Sequence, residues 1–142
     1  MRKVSVKDLR FTAASLDRLG ANYIGSYFAP GTNNTSFDAV LVTTAHTLTG
    51  ELEFGTDNCT FNGAAGAAHG GSATFTALPL RSSAFTIPLA SGFVSPKGWS
   101  GTIDGTVSPS AVTLTLQGTG TFDDEPCDTG RLSVTAEPQD PI

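Results

Sequence analysis

The sequence predicts an all-β domain: an antiparallel β-sandwich or a small β-barrel, with one short N-terminal helical turn. Charged residues make up only 15% of the 142-residue chain, which has 16 glycines and a threonine in nearly every segment. This composition favours strands and turns over helices. Short runs of alternating apolar and polar residues recur between turn residues. The length is that of one domain. We therefore expect a basic N-terminal arm over residues 1–20 and a single β-domain over residues 21–142.

The N-terminal arm begins with a strand pattern and ends with a helical pattern. Val4 and Val6 alternate with polar residues, which predicts a short strand with one apolar face. Residues 15–20 combine a capping Ser, two Leu residues three positions apart and a terminating Gly. These signals are sufficient for a single helical turn.

Strand patterns follow in the rest of the chain, at the spacing of an antiparallel sandwich or barrel. They cover Asn22–Phe28, Phe37–Thr44, Thr47–Phe54, Cys59–Asn62, Ala73–Leu78, Ala84–Leu89, Trp99–Val107, Ala111–Gln117 and Arg131–Ala136. Residues 63–72 are rich in Gly and Ala, and we interpret them as a low-complexity loop with little to anchor it. Pro138 and Pro141 are expected to stop further strand pairing.

The alternation also predicts which side chains form the core. The apolar positions expected to face inward are Leu48, Gly50, Leu52, Phe54, Trp99, Gly101, Ile103, Gly105, Val107, Val112, Leu114, Leu116, Leu132, Val134 and Ala136. Trp99–Val107 and the next strand are expected to form a hairpin closed at residues 108–110.

Charge is unevenly distributed along the chain. The net charge of −5 combines a net +3 over residues 1–20 with a net −8 over the remainder. We interpret this as an arm that binds the acidic body of the next copy; a solvated tail without a partner is the alternative. Nucleic acid is a less suitable partner, because the acidic body would repel phosphates. The arm contacts are expected to be Arg2, Lys3, Val4, Val6, Lys7 and Arg10.

A cluster of carboxylates is the expected landing site for the arm. Its members are Asp123, Asp124, Glu125 and Asp128. Carboxylate oxygens are also calcium ligands, but the spacing matches no calcium loop and lacks the glycine of the tight turn. We therefore interpret the cluster as an acidic surface loop, and we expect neither a metal nor a cofactor.

The chain has two cysteines, Cys59 and Cys127. Both lie beside predicted strands, so a disulfide between the last strand and the middle of the sheet is one interpretation. It would indicate an extracellular protein. A pair of reduced, buried thiols is the other interpretation.

Catalytic motifs are not found in the sequence. Gly98–Gly101 does not have the spacing of a nucleophile elbow. His46 and His69 lie in a predicted turn and in the Gly/Ala loop, where an imidazole is poorly positioned for catalysis. There is no phosphate-binding glycine loop and no zinc-protease motif. We therefore expect a protein that is not an enzyme.

The sequence also bears on location. No segment approaches the roughly 20 apolar residues of a membrane helix, so membrane insertion is not expected. Residues 4–10 contain charges where a signal peptide has its apolar segment. We expect no export signal in this chain, and a virion or extracellular location.

The opening of the first long strand suggests one family resemblance. Asn22–Tyr27, followed by hairpins, looks like the start of a calycin-type barrel such as the avidins and lipocalins, which would imply a ligand in the barrel mouth. The Gly-x-Trp of lipocalins and the several tryptophans of avidins are not present. No ligand-binding residue is carried over.

Two hypotheses for function follow. The first is a non-enzymatic structural subunit of a larger particle: a virion decoration, minor capsid or tail protein, or a filament subunit, with other protein subunits or copies of itself as partners. The alternative is a secreted or cell-surface β-barrel that binds a small ligand or a glycan.

Overall fold

The computed structural model describes residues 22–139, and these form one antiparallel sheet without a helix. This confirms the all-β class. The predicted helical turn and the basic arm lie outside the described residues. The strands are β1 (Asn22–Phe28), β2 (Ser36–Thr43), β3 (Thr47–Phe61), β4 (Ala64–Pro79), β5 (Ala84–Pro88), β6 (Val94–Ser95), β7 (Trp99–Val107), β8 (Val112–Phe122) and β9 (Glu125–Gln139).

The order of strands in the sheet is β5-β7-β8-β9-β1-β2-β3-β4-β6. The long strand β9 has a further pairing that this order does not include. Its C-terminal end pairs with β1, and near its beginning Cys127 pairs with Cys59 of β3. Strands β9, β1, β2 and β3 therefore form a closed circuit of pairings, which brings the start of β9 against the far end of β3.

The core lies on the face of the sheet that the alternation predicts. Leu48, Leu52 and Phe54 of β3 are buried, as are the inward positions 132, 134 and 136 of β9. Trp99 is only 1% exposed, which confirms its expected place in the core. Apolar side chains at every second position of β3 and β9 thus face the core.

The β7–β8 hairpin is confirmed. Val107 pairs with Val112 across the loop of residues 108–110. Gly101 differs from the prediction, because it is exposed rather than inward-facing. Its φ is +124°, and a Cβ there would lie 2.1 Å from the Gln117 carbonyl oxygen. This position therefore requires glycine for a close approach of two backbones.

The interpretation of residues 63–72 as a loop is wrong, because residues 64–72 belong to β4, which pairs with β3 along its length. The reversal occurs at Asn62 and Gly63, whose φ angles are +51° and +80°. Positive φ at both central residues is the geometry of the tight turn that suits hairpins. Pairing with β3 satisfies the backbone hydrogen-bonding groups of this segment, although its residues have low strand propensity.

The expected stop at Pro138 is also wrong, since β9 continues to Gln139 and Pro138 pairs with Tyr23. Proline lacks only the N–H group, and in an antiparallel pair alternate residues make no hydrogen bond to a given neighbour. A proline near the end of a strand is therefore tolerated. The two segments expected at 47–54 and 59–62 are likewise one strand, β3.

Candidate interaction surfaces

Two hairpin tips meet at one end of the sheet. The β3–β4 hairpin turns at Asn62 and Gly63, and the β8–β9 hairpin turns at Asp123 and Asp124, with φ angles of +51° and +64°. In both hairpins the strand residues that flank the two turn residues pair directly. Aspartate tolerates the left-handed region better than most residues, because its short side chain bonds locally. Both tips are thus tight turns of the same kind.

A disulfide joins the two hairpins just behind their tips. Cys59 of β3 and Cys127 of β9 are bonded, with their Cα atoms 4.1 Å apart and both side chains 95% buried. The structure thus confirms the disulfide interpretation. The bond spans 68 positions in sequence. It fixes the relative position of two hairpins that are distant in the chain.

Hydrogen bonds reinforce the junction between the tips. The Thr60 hydroxyl donates to the Glu125 carboxylate, which also accepts from the backbone N–H groups of Asn62 and Gly63. Together, led by the Thr60 hydroxyl, these bonds lower the pKa of Glu125 below its ordinary value. The Glu125 carboxylate therefore binds its neighbouring hairpin in the ionised form.

The four carboxylates of the predicted landing site have different surroundings. Asp123 and Asp124 are exposed in the turn. Glu125 is turned toward the neighbouring tip, and the Asp128 carboxylate accepts a 2.8 Å hydrogen bond from the Gly130 N–H. Two of the four are therefore engaged within the fold. The expected arm contacts at residues 2–10 lie outside the described residues, and arm binding at this cluster stays a prediction.

Aromatic side chains pack behind the tips. The ring centroid of Phe122 lies 4.9 Å from that of Trp99 and 3.7 Å from that of His69, both in edge-on geometry. Phe54 also packs edge-on against Trp99, with ring centroids 5.2 Å apart. Edge-to-face packing at these distances stabilises aromatic pairs. The cluster supports the base of the hairpins from inside, and His69 belongs to it.

The β3–β4 hairpin presents a surface of small and apolar groups. Phe61 is 67% exposed at the tip, and residues 64–66 and 68 beside it are exposed Ala and Gly. Among the described strands, β4 pairs with β6 only at Ser72 and Ala73. Residues 64–71 therefore have a partner strand on one side only, and their other edge is an open strand edge. We call this segment the β4 edge.

A cleft of about 540 Å³ lies beside the β4 edge. Its walls include Phe28, Asn34, Phe54 and His69. The β1–β2 loop, which contributes Asn33 and Asn34 to this lining, is held by Asp57. The Asp57 carboxylate accepts a hydrogen bond from the Asn34 backbone N–H at 3.0 Å and another from the Asn34 side-chain amide at 2.9 Å. These two bonds are the main cause of the lowered pKa of Asp57.

The face of β1, β2 and β3 opposite the core forms a further surface, which we call the outer face. It consists of alternate residues: Ile24 and Ser26 of β1; Asp38, Val40 and Val42 of β2; and Thr49, Glu51 and Glu53 of β3. Asp38 is only 4% exposed, and the Ser26 hydroxyl donates to it at 2.5 Å. Burial raises the pKa of Asp38, the Ser26 bond opposes this, and the neighbouring Glu53 adds to it.

Two further findings bear on the predictions. Within residues 22–139, no group of three or more His, Cys, Asp or Glu side chains is arranged to hold a metal ion. A helix long and apolar enough to cross a membrane is not found in this part of the chain.

Sequence reasoning missed the β4 edge and the junction of the tips. The Asn62-Gly63 pair was the signal available for the first, because Asn-Gly is the strongest short hairpin motif. No local signal identifies the second, since Thr60 and Glu125 are 65 positions apart.

Comparison of the chain with protein-family models, curated proteins and solved structures finds no match.

Proposed function

We propose that this protein is a non-enzymatic structural subunit that assembles with copies of itself or with other subunits of a larger particle. The particle would be a virion with this chain as a decoration, minor capsid or tail protein, or a filament. The observation that carries the proposal is the open β4 edge at residues 64–71.

An open strand edge presents a row of N–H and C=O groups that can pair with another chain. Folded monomers usually block such edges with lysine, proline, inward charges or a covering element. Residues 64–71 contain only Ala, Gly and His69, so the edge has no proline and no lysine. Apart from His69, whose ring packs against Trp99 and Phe122, its side chains are too small to keep a partner strand away. Strand addition is an established mode of recognition between proteins.

The disulfide and the hydrogen bonds of Glu125 make the same region rigid. A rigid edge loses less conformational entropy when a partner binds than a mobile one does. Phe61, exposed at the tip, adds an apolar contact of the type enriched at the centre of interfaces. Rigidity and an exposed aromatic thus support a role of the hairpin pair as a docking element.

The basic arm is the second proposed contact, from one copy to the acidic body of the next. Opposite charges steer partners together and set their orientation. For the architecture, we propose that the sheet curls into a barrel-like or sandwich arrangement; the circuit of pairings through β9, β1, β2 and β3 supports this. An extracellular or virion location is compatible with the disulfide.

The test is to place charge on the β4 edge and measure assembly. In the variant Ala65→Lys/Ala68→Lys, two exposed alanines become long cations, which would obstruct a partner strand. The matched control is Thr113→Lys, an exposed position on β8, a strand paired on both sides. Light scattering after size-exclusion chromatography should show concentration-dependent association for the wild type and the control, and a shift toward monomer for the double variant. A wild type that stays monomeric at every concentration would argue against self-assembly.

The cleft favours the alternative, a glycan- or small-ligand-binding domain. Phe28 is 49% exposed at its wall, and Asn33 and Asn34 also line it. An aromatic face beside planar amides suits a sugar ring. A glycan array probed with the labelled wild type and with Phe28→Ala tests this alternative: specific binding by the wild type that the variant loses would support it.

A further inference from the structure

The outer face has an unusual pattern of burial. Val40 and Val42 are 0% and 1% exposed, although they point away from the core. Their neighbours on β2, Ala39 and Leu41, belong to the core cluster on the other face. Strand β2 is therefore buried on both of its faces, whereas a sheet with one solvated face alternates between buried and exposed residues.

The other half of the sheet provides an internal comparison. On β8 and β9, the residues opposite the core include Thr113, Ser133 and Thr135, and all three are exposed. These residues also lie on strands with a partner on each side. Pairing with neighbouring strands thus does not by itself bury an outward-pointing residue. Val40 and Val42 require a covering segment.

Two parts of the chain lie outside the described residues: residues 1–21 and 140–142. The second part is only three residues long and contains an aspartate. The outer face has three carboxylates, Asp38, Glu51 and Glu53, so a short acidic segment is a poor match in both length and charge. Residues 1–21 are the better candidate.

The first 21 residues match this face in chemistry and in reach. They carry the basic excess of the chain, together with apolar residues such as Val4, Val6 and Phe11. Residue 21 immediately precedes Asn22, which pairs with Val42, so the segment starts at the border of the outer face. From Val42 to Ser36 the strand spans roughly 20 Å, at about 3.3 Å per residue. An extended segment of 21 residues can span more than this distance.

We propose that residues 1–21 cover the outer face, with apolar side chains on Val40 and Val42 and with Lys3 and Lys7 beside Glu51 and Glu53. The outer face, rather than the exposed aspartates at the hairpin tip, is then where the arm binds. The proposal rests on the proposed function in one respect: in the assembly the same contact is made by the arm of a neighbouring copy. Exchange of an identical segment between copies requires no new surface.

Zero-length cross-linking of the full chain with a carbodiimide tests the location. The reagent joins a lysine amine to a carboxylate in direct contact, and only Lys97 is present besides the two arm lysines. Peptide mapping should show Lys3 or Lys7 joined to Glu51 or Glu53. The variant Glu51→Gln/Glu53→Gln should lose at least nine-tenths of these products. The matched variant Asp123→Asn/Asp124→Asn should retain them. Cross-links of Lys3 or Lys7 to the tip aspartates would overturn the proposal. So would a yield of cross-links from Lys3 and Lys7 to Glu51 and Glu53 that is no higher than the yield from Lys97.

A mixture of isotopically heavy and light protein separates this inference from the proposed function. Cross-linked products at Glu51 or Glu53 that join only light peptides to light peptides, or heavy to heavy, place the arm on its own body. This result supports the inference and contradicts assembly through the arm. Mixed products support both. Light scattering on the same samples shows whether the chain associates when no mixed products form.

Discussion

Trp99 is a buried side chain whose packing joins four of the described strands. It lies on β7 and contacts Phe54 of β3 and Phe122 of β8 through edge-on rings. Gly71 of β4 is so close that a Cβ there would lie 3.1 Å from the indole nitrogen. Strands from both hairpins thus pack on one indole ring, and its loss would leave a cavity that neither hairpin can easily fill.

We predict that Trp99→Ala lowers the free energy of unfolding by about 3 to 5 kcal/mol, as truncation of large buried aromatics does. Urea denaturation followed by circular dichroism measures the change. Phe28→Ala is the control, because Phe28 is 49% exposed and its loss should have a much smaller effect. Equal effects of the two substitutions would mean that Trp99 does not organise the core.

Glu125 determines how the hairpin junction responds to pH. Its pKa is lowered chiefly by the Thr60 hydroxyl, so the hydrogen bonds favour the ionised carboxylate. The stabilisation is therefore present above the ordinary pKa of glutamate and is lost as the pH falls through the lower, folded-state pKa. We predict that Thr60→Val raises the pKa of Glu125 toward its ordinary value, as measured by NMR titration of the side-chain carboxyl carbon. An unchanged pKa would show that the hydroxyl is not the main cause.

At the scale of elements, the disulfide determines how firmly the two hairpins are held together. Closing a loop of 68 positions restricts the unfolded chain, and the chain-entropy relation gives about 4 kcal/mol. We predict that Cys59→Ser/Cys127→Ser loses stability of this size in denaturant titrations. The reduced wild type should lose a similar amount. No difference between oxidised and reduced protein would show that the strands alone maintain the junction.

The sequence predicts some elements well and others poorly, and side-chain size explains the difference. The β7–β8 hairpin is predicted correctly because bulky residues such as Trp99, Ile103 and Leu114 alternate with polar ones. The first half of β4 is not, because Ala and Gly show no alternation in hydrophobicity. The acidic cluster was found by composition alone. That Glu125 binds Thr60 depends on tertiary pairing of β3 with β9, which no local pattern encodes.

At the scale of the whole molecule, the uneven charge suggests that body and arm have separable roles. We predict that deletion of residues 2–11 leaves a folded body that no longer assembles, because residues 22–139 contain a large buried core of their own. Reversing the charges of Arg2, Lys3 and Lys7 should weaken assembly without abolishing it, and added salt should weaken it further. Thermal melting and light scattering on each variant check both parts. Unchanged assembly after the deletion would mean that the arm takes no part in assembly. An unfolded body would mean that Val4 and Val6 belong to the domain's own sheet.

The pairing of Asn22 with Gln139 has a consequence for the orientation of the molecule in an assembly. These residues are cross-strand partners at the border of the described body, so the segments before and after the body leave it at the same point. The paired hairpin tips, in contrast, are formed by the opposite ends of β3 and β9. The molecule therefore has two different ends. The segments before Asn22 and after Gln139 leave the body at one end, and the rigid hairpin tips lie at the other. A fluorescent protein fused after residue 142 would mark the end of the body from which both segments leave, in electron micrographs of any particle with which this protein is found to associate.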